Sequence, residues 1–409
     1  MKRLIKSLIL GALLCVALPS QAQQNTIFRI KAEGQYGWLF GNASGTSVYG
    51  GEAAMELPLF GNHNWEYTYN FPTVGFSVGY LRMQDPEYDR HTIPVMTYFH
   101  WPMVHTKMFA LNLKWGSGLA GLVLAKGETH DYHDYVPVTG VWDLGLNMDI
   151  GLSKNYTRPA SRWIITLGAN VMAFNNANIT RKTRNALMAN VQIGLKYTPN
   201  VWPLPVRYPA RSVHHWLALE AYAAGAVNQL ERADKYYPNG TINFGGYVPI
   251  SNAYRLGIAV DGFYNGAYDG TQRTENTRYN FIKEDKFINK IRVGVALANE
   301  ITMDRVNVGL HAGFYCLNKV KVPDYDEDGN KNSNLLENYM YLKLVTRYYF
   351  TPKFFIVVEV KSHLNKVECA GLGLGWAMPD FGNRIKNPFA RISFKKEDKE
   401  ELRITGSEK

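Results

Sequence analysis

The chain of 409 residues carries 45 Lys and Arg against 35 Asp and Glu, a formal charge of +10, and is rich in aromatic residues and glycine, with 26 Tyr, 19 Phe, 9 Trp and 36 Gly. After residue 22 it has no run of about 18 apolar residues, which excludes a helical inner-membrane protein, and its few cysteines exclude a disulfide scaffold or a cysteine metal site. The surplus of cations points to an anionic partner, lipid phosphate rather than nucleic acid for an exported chain, or else only solubilises loops.

Lys2, Arg3 and Lys6 precede an apolar stretch from Leu8 to Leu18, and Ser20-Gln21-Ala22 then leads into the polar pair Gln23-Gln24. This pattern predicts a secretory signal peptide over 1–22, cut after Ala22, whose apolar run is too short to remain as an anchor. Cys15 follows Leu14, where lipid modification wants a small residue, so lipoprotein processing is not expected. Removal of the segment leaves Cys316 and Cys369, which can form one disulfide in an oxidising envelope.

Beyond the signal, apolar residues recur at every second position over long stretches. From 138 to 152 one parity reads Val138, Gly140, Trp142, Leu144, Leu146, Met148, Ile150 and Leu152, and the other Thr139, Val141, Asp143, Gly145, Asn147, Asp149 and Gly151. The same alternation returns at 187–196, 255–261 and 306–314. A soluble sandwich alternates too, so length decides: many runs exceed the usual strand of about 5–6 residues and match the roughly 9–11 that cross a bilayer at a tilt. Strands are predicted near 25–37, 45–58, 73–84, 91–100, 107–124, 139–153, 161–174 and 186–198, then near 214–230, 240–250, 253–266, 286–300, 304–317, 336–350, 354–365 and 367–378. Long polar segments (37–47, 125–137, 175–185, 267–285, 318–336) alternate with tight turns (301–304, 351–353), as external loops and periplasmic turns do.

The expected fold is therefore all-β, a transmembrane antiparallel barrel of about 14–16 strands in the outer membrane. Pro203, Pro205 and Pro209 separate two groups of eight strands. One barrel over 23–394 is the favoured arrangement, because an open edge in lipid leaves backbone groups unpaired, with two structural halves as the alternative. The residues 395–409 form a charged periplasmic tail.

Two stretches carry a resemblance. Trp65-Glu66-Tyr67-Thr68-Tyr69-Asn70-Phe71-Pro72 with Gly75-Phe76-Ser77-Val78-Gly79-Tyr80 and Lys114-Trp115-Gly116-Ser117-Gly118-Leu119-Ala120 is the first. Leu342 to Gly375, including Arg347-Tyr348-Tyr349-Phe350, Lys361-Ser362-His363 and Gly371-Leu372-Gly373-Leu374-Gly375, is the second. Together they resemble the long acyloxyacyl-hydrolase-like branch of the lipid A 3-O-deacylase family. The resemblance implies an outer-membrane barrel that removes an ester-linked acyl chain from lipid A of lipopolysaccharide. It also implies a His-x-Ser-Asn run at the outer end of a strand, with a glutamate nearby, so that serine attacks while histidine takes its proton.

The stretch that matches this run, Ala173-Phe174-Asn175-Asn176, is degenerate: Ala173 cannot act as a base and Asn175 has no hydroxyl. A displaced set is offered by His363 with Ser362 and Glu368, although His363 shares parity with the polar Glu359 and Lys361 while Ser362 faces the other way. Arg181, Lys182 and Arg184 can hold lipid A phosphates or form an ordinary basic loop. Asp324, Asp326 and Asp328 begin a calcium-loop pattern, but position twelve is Leu335, so an acidic external loop is the competing account. His130 and His133 lie in an exposed loop that can bind a transition metal, and Ser44 lacks the spacing of a nucleophile elbow. The functional expectation is lipid A deacylation or remodelling, as a divergent esterase or a non-catalytic factor; a channel, transport or structural barrel is the alternative.

Overall fold

The computed structural model describes residues 28–40, 46–59, 64–84, 89–106, 109–124, 138–152, 162–175, 177, 186–199, 216–229, 236–269, 282, 284–321, 323–325, 331–333, 335–363, 367–379 and 381–384. The signal segment, the Pro-rich stretch at 203–209 and the charged tail lie outside these residues. The first unit contains β1 (Arg29–Phe40), β2 (Ser47–Pro58), β3 (Thr73–Gln84), β4 (Asp89–His105), β5 (Phe109–Leu124), β6 (Val138–Gly151), β7 (Trp163–Asn175) and β8 (Ala186–Tyr197). A short helix, α1 (Asn64–Thr68), sits between β2 and β3. The second unit contains β9 (Ala218–Gln229), β10 (Tyr236–Pro249), β11 (Tyr254–Asn265), β12 (Ile291–Met303), β13 (Val306–Asn318), a small hairpin of β14 (Pro323–Tyr325) and β15 (Lys331–Ser333), the helix α2 (Leu335–Tyr339), β16 (Met340–Tyr349), β17 (Phe354–Ser362) and β18 (Val367–Met378).

The sixteen long strands close as two rings of eight, not as the single ring favoured from the sequence. β8 returns to β1, with Met188 opposite Leu39 and Tyr197 opposite Ile30, and β18 returns to β9, with Leu372 opposite Gly225. The physical reason lies in the argument that first favoured one ring. No strand edge can stand open in hydrocarbon, and eight strands are enough to satisfy that condition, so each half meets it alone. The bilayer-facing parity is as expected: Leu144 is 55% exposed, Ile193 63%, Ile258 64% and Leu372 65%, whereas Lys114 and Arg347 are 0% exposed. Large aliphatic side chains outside and charges inside is the inverse of a soluble fold. It places both walls in a membrane, and closed barrels of this kind are outer-membrane structures.

The first interior has two layers. Near the turn end, Lys31 Nζ meets Glu52 at 3.0 Å and Glu33 at 3.1 Å, Lys114 meets Asp143 at 2.9 Å, and Lys196 bridges Asp149 at 2.9 Å and Glu56 at 3.2 Å. The Tyr98 hydroxyl donates to Glu56 at 3.0 Å, and its ring lies beneath Lys31 and Lys114. Toward the loop end the polar row gives way to an apolar stopper that includes Leu39, Val48, Leu81, Met83, Phe174 and Met188.

The second interior is ionic over more of its length. Arg255 reaches Glu220 and Glu300, Arg347 pairs with Glu300, His311 Nε2 lies 2.8 Å from Glu300, and Lys343 pairs with Asp261. The interior glycines explain the joint excess of Gly and Tyr. A Cβ on Gly75 would lie 2.1 Å from the Tyr98 ring, and one on Gly313 would lie 2.3 Å from the Tyr341 ring. Each such glycine is the seat of a ring that crosses the lumen. Cys316 faces outward and is exposed while Cys369 is buried, and both are free thiols, so the disulfide allowed by the sequence is not formed.

Two measurements check this architecture. Glu300→Ala removes the acid that His311 meets and one of the two acids that serve Arg255 and Arg347 in a dry interior, and is expected to cost about 3–5 kcal/mol in urea unfolding of the protein in lipid vesicles. Leu144→Arg places a cation on the wall and is expected to cost about 2–4 kcal/mol in the same assay, whereas a wall not in contact with lipid would tolerate it.

Candidate functional site

β17 runs toward the loop end of the second barrel, and His363 follows its last residue. The strand alternates, with Phe355, Val357, Glu359 and Lys361 inward and Ile356 and Val358 outward, which brings His363 to the inner side at 4% exposure. Glu368, by the parity of Leu372, Leu374 and Trp376 on β18, ought to face lipid. A register shift between Lys361 and Ser362 changes this: Lys361 pairs with Cys369 and Ser362 with Val367, leaving Glu368 as the extra residue of a β-bulge. The bulge turns its carboxylate inward, where it is 8% exposed.

The Glu368 carboxylate then gathers the loop-end cluster. Lys361 Nζ lies 2.8 Å from Oε2, His363 Nε2 lies 2.8 Å from the same oxygen, the Asn265 amide donates to Oε1 at 2.8 Å, and Arg292 Nη1 stands at 3.9 Å. Lys361 rests 3.8 Å from the centre of the Phe263 ring, and the Tyr315 ring lies 6.1 Å from the imidazole. A small cavity of about 10 Å³ adjoins the cluster, lined in part by Asn239, Thr241, Phe263, Lys361, Glu368 and Cys369.

The remaining nitrogen of His363, Nδ1, lies 3.0 Å from the carbonyl oxygen of Met340. Both ring nitrogens are thus engaged by oxygens inside the barrel, and neither is turned toward a hydroxyl. Ser362 lies on the opposite face of the strand, half-buried in the outer wall, with Leu342 and Val367 as its cross-strand neighbours. The structure therefore brings together His363 and Glu368 of the displaced set and leaves Ser362 apart, because adjacent strand residues point to opposite faces.

The degenerate run in the first barrel lies where the sequence reading placed it. Ala173 and Asn175 are half-exposed on the outer wall at the loop end of β7, opposite Trp142 and Gly140. The residues described around them include no acid or base. Asn176, Arg181, Lys182 and Arg184 lie outside the described residues. Asp324 stands on β14 opposite Asn332, whereas Asp326, Asp328, His130 and His133 lie outside the described residues. Among the described residues no group of three or more His, Cys, Asp and Glu is arranged to hold a metal ion.

Sequence reasoning missed the partners of Glu368. Arg292 and Asn265 are remote in sequence, and the inward turn of Glu368 depends on a bulge that alternation cannot reveal.

Residues 217–380 match the family model described as acyloxyacyl hydrolase, C-terminal domain. That span contains the whole second barrel. No curated protein matches the sequence. Among solved structures, the chain is similar to the outer membrane enzyme PagL at 11% identity, covering 40% of this chain and 97% of that one, with a TM-score of 0.28. Neisserial surface protein A gives 10% identity, 42% and 96% coverage and a TM-score of 0.30. The N-terminal β-barrel domain of Pseudomonas aeruginosa OprF gives 14% identity, 43% and 100% coverage and a TM-score of 0.26.

Removing the carboxylate at the centre of the cluster tests its role. Glu368→Ala removes the carboxylate that Lys361 and His363 meet at 2.8 Å and is expected to lower the unfolding temperature of the folded band on semi-native gels. Ser362→Ala is expected to leave that temperature where it is.

Proposed function

We propose, from the match of the second barrel to the acyloxyacyl hydrolase C-terminal domain, that this outer-membrane protein acts in the deacylation of lipid A as a non-catalytic factor. The observation that carries this reading is the engagement of both His363 nitrogens by acceptors inside the barrel, with the neighbouring hydroxyl of Ser362 on the far side of the wall. Ester attack by a serine requires base and nucleophile within hydrogen-bond reach on one face. It also requires both to meet a substrate whose acyl chains lie in the bilayer. A His–Glu pair enclosed in the lumen meets neither condition, whereas the match to the family model and the lipid-exposed wall remain. The packed ionic interior argues against the transport reading, since Lys343 and Arg347 occupy the lumen at 0% exposure.

One observation favours a second reading. His363 and Glu368, 2.8 Å apart, form the base and orienting acid of a triad lacking only its nucleophile, which is the half of an esterase that a displaced serine or a water would complete.

Mass spectra of lipid A from deletion and complemented strains separate the two. The deletion strain is expected to carry lipid A heavier by one acyl chain. Wild type, Ser362→Ala, Asn175→Ala and His363→Gln are each expected to restore the lighter form. If folded His363→Gln fails to do so, the esterase reading takes over, and an unchanged acylation pattern on deletion rejects both.

A further inference from the structure

The cavity beside the loop-end cluster of the second barrel lies against β9, β10, β17 and β18. Its polar lining comes from Asn239 and Thr241 on β10, Glu359 and Lys361 on β17, and Glu368 on β18. The space is left by Gly371, whose missing Cβ would stand 3.4 Å from the Glu359 side chain. A water molecule needs on the order of 10 Å³ of open volume and two or more polar partners. This cavity offers about 10 Å³, room for one such molecule and for no larger ligand.

Asn239 is 8% exposed, and it faces the lumen with Tyr237, Thr241 and Asn243 along the inward row of β10. Neither its Nδ2 nor its Oδ1 has a hydrogen-bond partner among the described residues. Native interiors rarely leave a buried amide in that condition; a protein group or an ordered water satisfies it. With a donor and an acceptor both open, Asn239 suits a ligand that bonds in either sense. An ion of either sign meets its like in the lining, a cation at Lys361 and an anion at Glu359 and Glu368. Water is neutral and carries both kinds of bond. Glu359 supplies the second partner: its carboxylate takes a bond from Tyr222 at 2.7 Å, and a carboxylate has about four lone-pair sites to offer.

We propose that one water molecule is a resident ligand of this cavity, held by the Asn239 carboxamide and the Glu359 carboxylate. It joins two hydrogen-bonded systems of the lumen. In the first, Lys343 donates to Tyr222 and Tyr222 to Glu359, each at 2.7 Å. In the second, Lys361 and His363 both meet Glu368 at 2.8 Å. The water ties β10 to both, so that the loop-end cluster is braced from across the strand wall as well as from β17 and β18. His363 is not among the residues that line the cavity, so this water is not the one that would complete an esterase, and the site stands apart from either reading of function.

Diffraction from crystals of the full-length protein grown in rubidium bromide tests it. One density peak is expected within about 3.2 Å of an Asn239 amide atom and of a Glu359 carboxylate oxygen, without anomalous signal at the rubidium or bromine edge. Asn239→Leu is expected to lose that peak while Lys361 and Glu368 stay paired. An empty cavity in the wild type overturns the proposal, and so does an anomalous peak, which would make the ligand an ion. Magnetic resonance in detergent micelles asks the same question without a crystal. The side-chain N–H of Asn239, assigned by its loss in Asn239→Leu, is expected to show a rotating-frame cross-peak to water with the sign of a long-lived bound molecule. A wild-type amide without that cross-peak overturns the proposal as well.

Discussion

Hydrocarbon offers no partner to a peptide group, and the rest of this structure depends on that fact. Every strand must find a neighbour on both sides, so each sheet bends until its last strand meets its first. Closure at eight strands leaves a lumen only wide enough for side chains to fill. That narrow space decides what the inward positions are. They are the long cations, carboxylates and tyrosines that reach across to one another, such as Lys31 to Glu52 and Tyr341 to Asp261, and the glycines that give their rings room. Buried charge is costly alone and tolerable in company, which is why these groups occur as networks in which acids and bases share partners, Lys31 meeting two carboxylates and Glu300 three bases.

The same narrowness governs the loop-end cluster of the second barrel. Without the bulge on β18, Glu368 would face the bilayer and Lys361 and His363 would lose the carboxylate they share. One extra residue thus exchanges a charge in lipid for a charge at the centre of a basic pocket. The outcome is a histidine fixed between a carboxylate and a carbonyl, suited to holding β17, β18 and the start of β16 together. In the family run, a histidine and a serine two residues apart share one face; here the histidine points inward and the serine is its immediate neighbour. Chemistry at the lipid surface and packing in the lumen are alternatives set by parity.

Much of this was legible in the residues. Leu144, Leu146 and Met148 alternating with Asp143, Asn147 and Asp149 named both the element and its two faces, because a strand in a bilayer wall has opposite solvents on its two sides. The inward position of His363 followed from the same rule. What alternation does not encode is where a ring closes. Strand pairing between β8 and β1 leaves no mark on either strand, so eight and sixteen read alike. Nor does it encode a bulge, which hid the destination of Glu368, or the change of layer in the first lumen, where Met83 and Phe174 occupy positions a polar row was expected to hold.

That stopper has a consequence for the first barrel as an electrical object. Its charges are numerous, yet among the described residues the lumen at the loop end is closed by a greasy bung that includes Leu39, Met83, Phe174 and Met188. An ion there would have to shed its hydration shell with nothing to replace it. In a cylinder lined with lysines and carboxylates, such a layer opposes the passage of ions, and the ionic content serves cohesion.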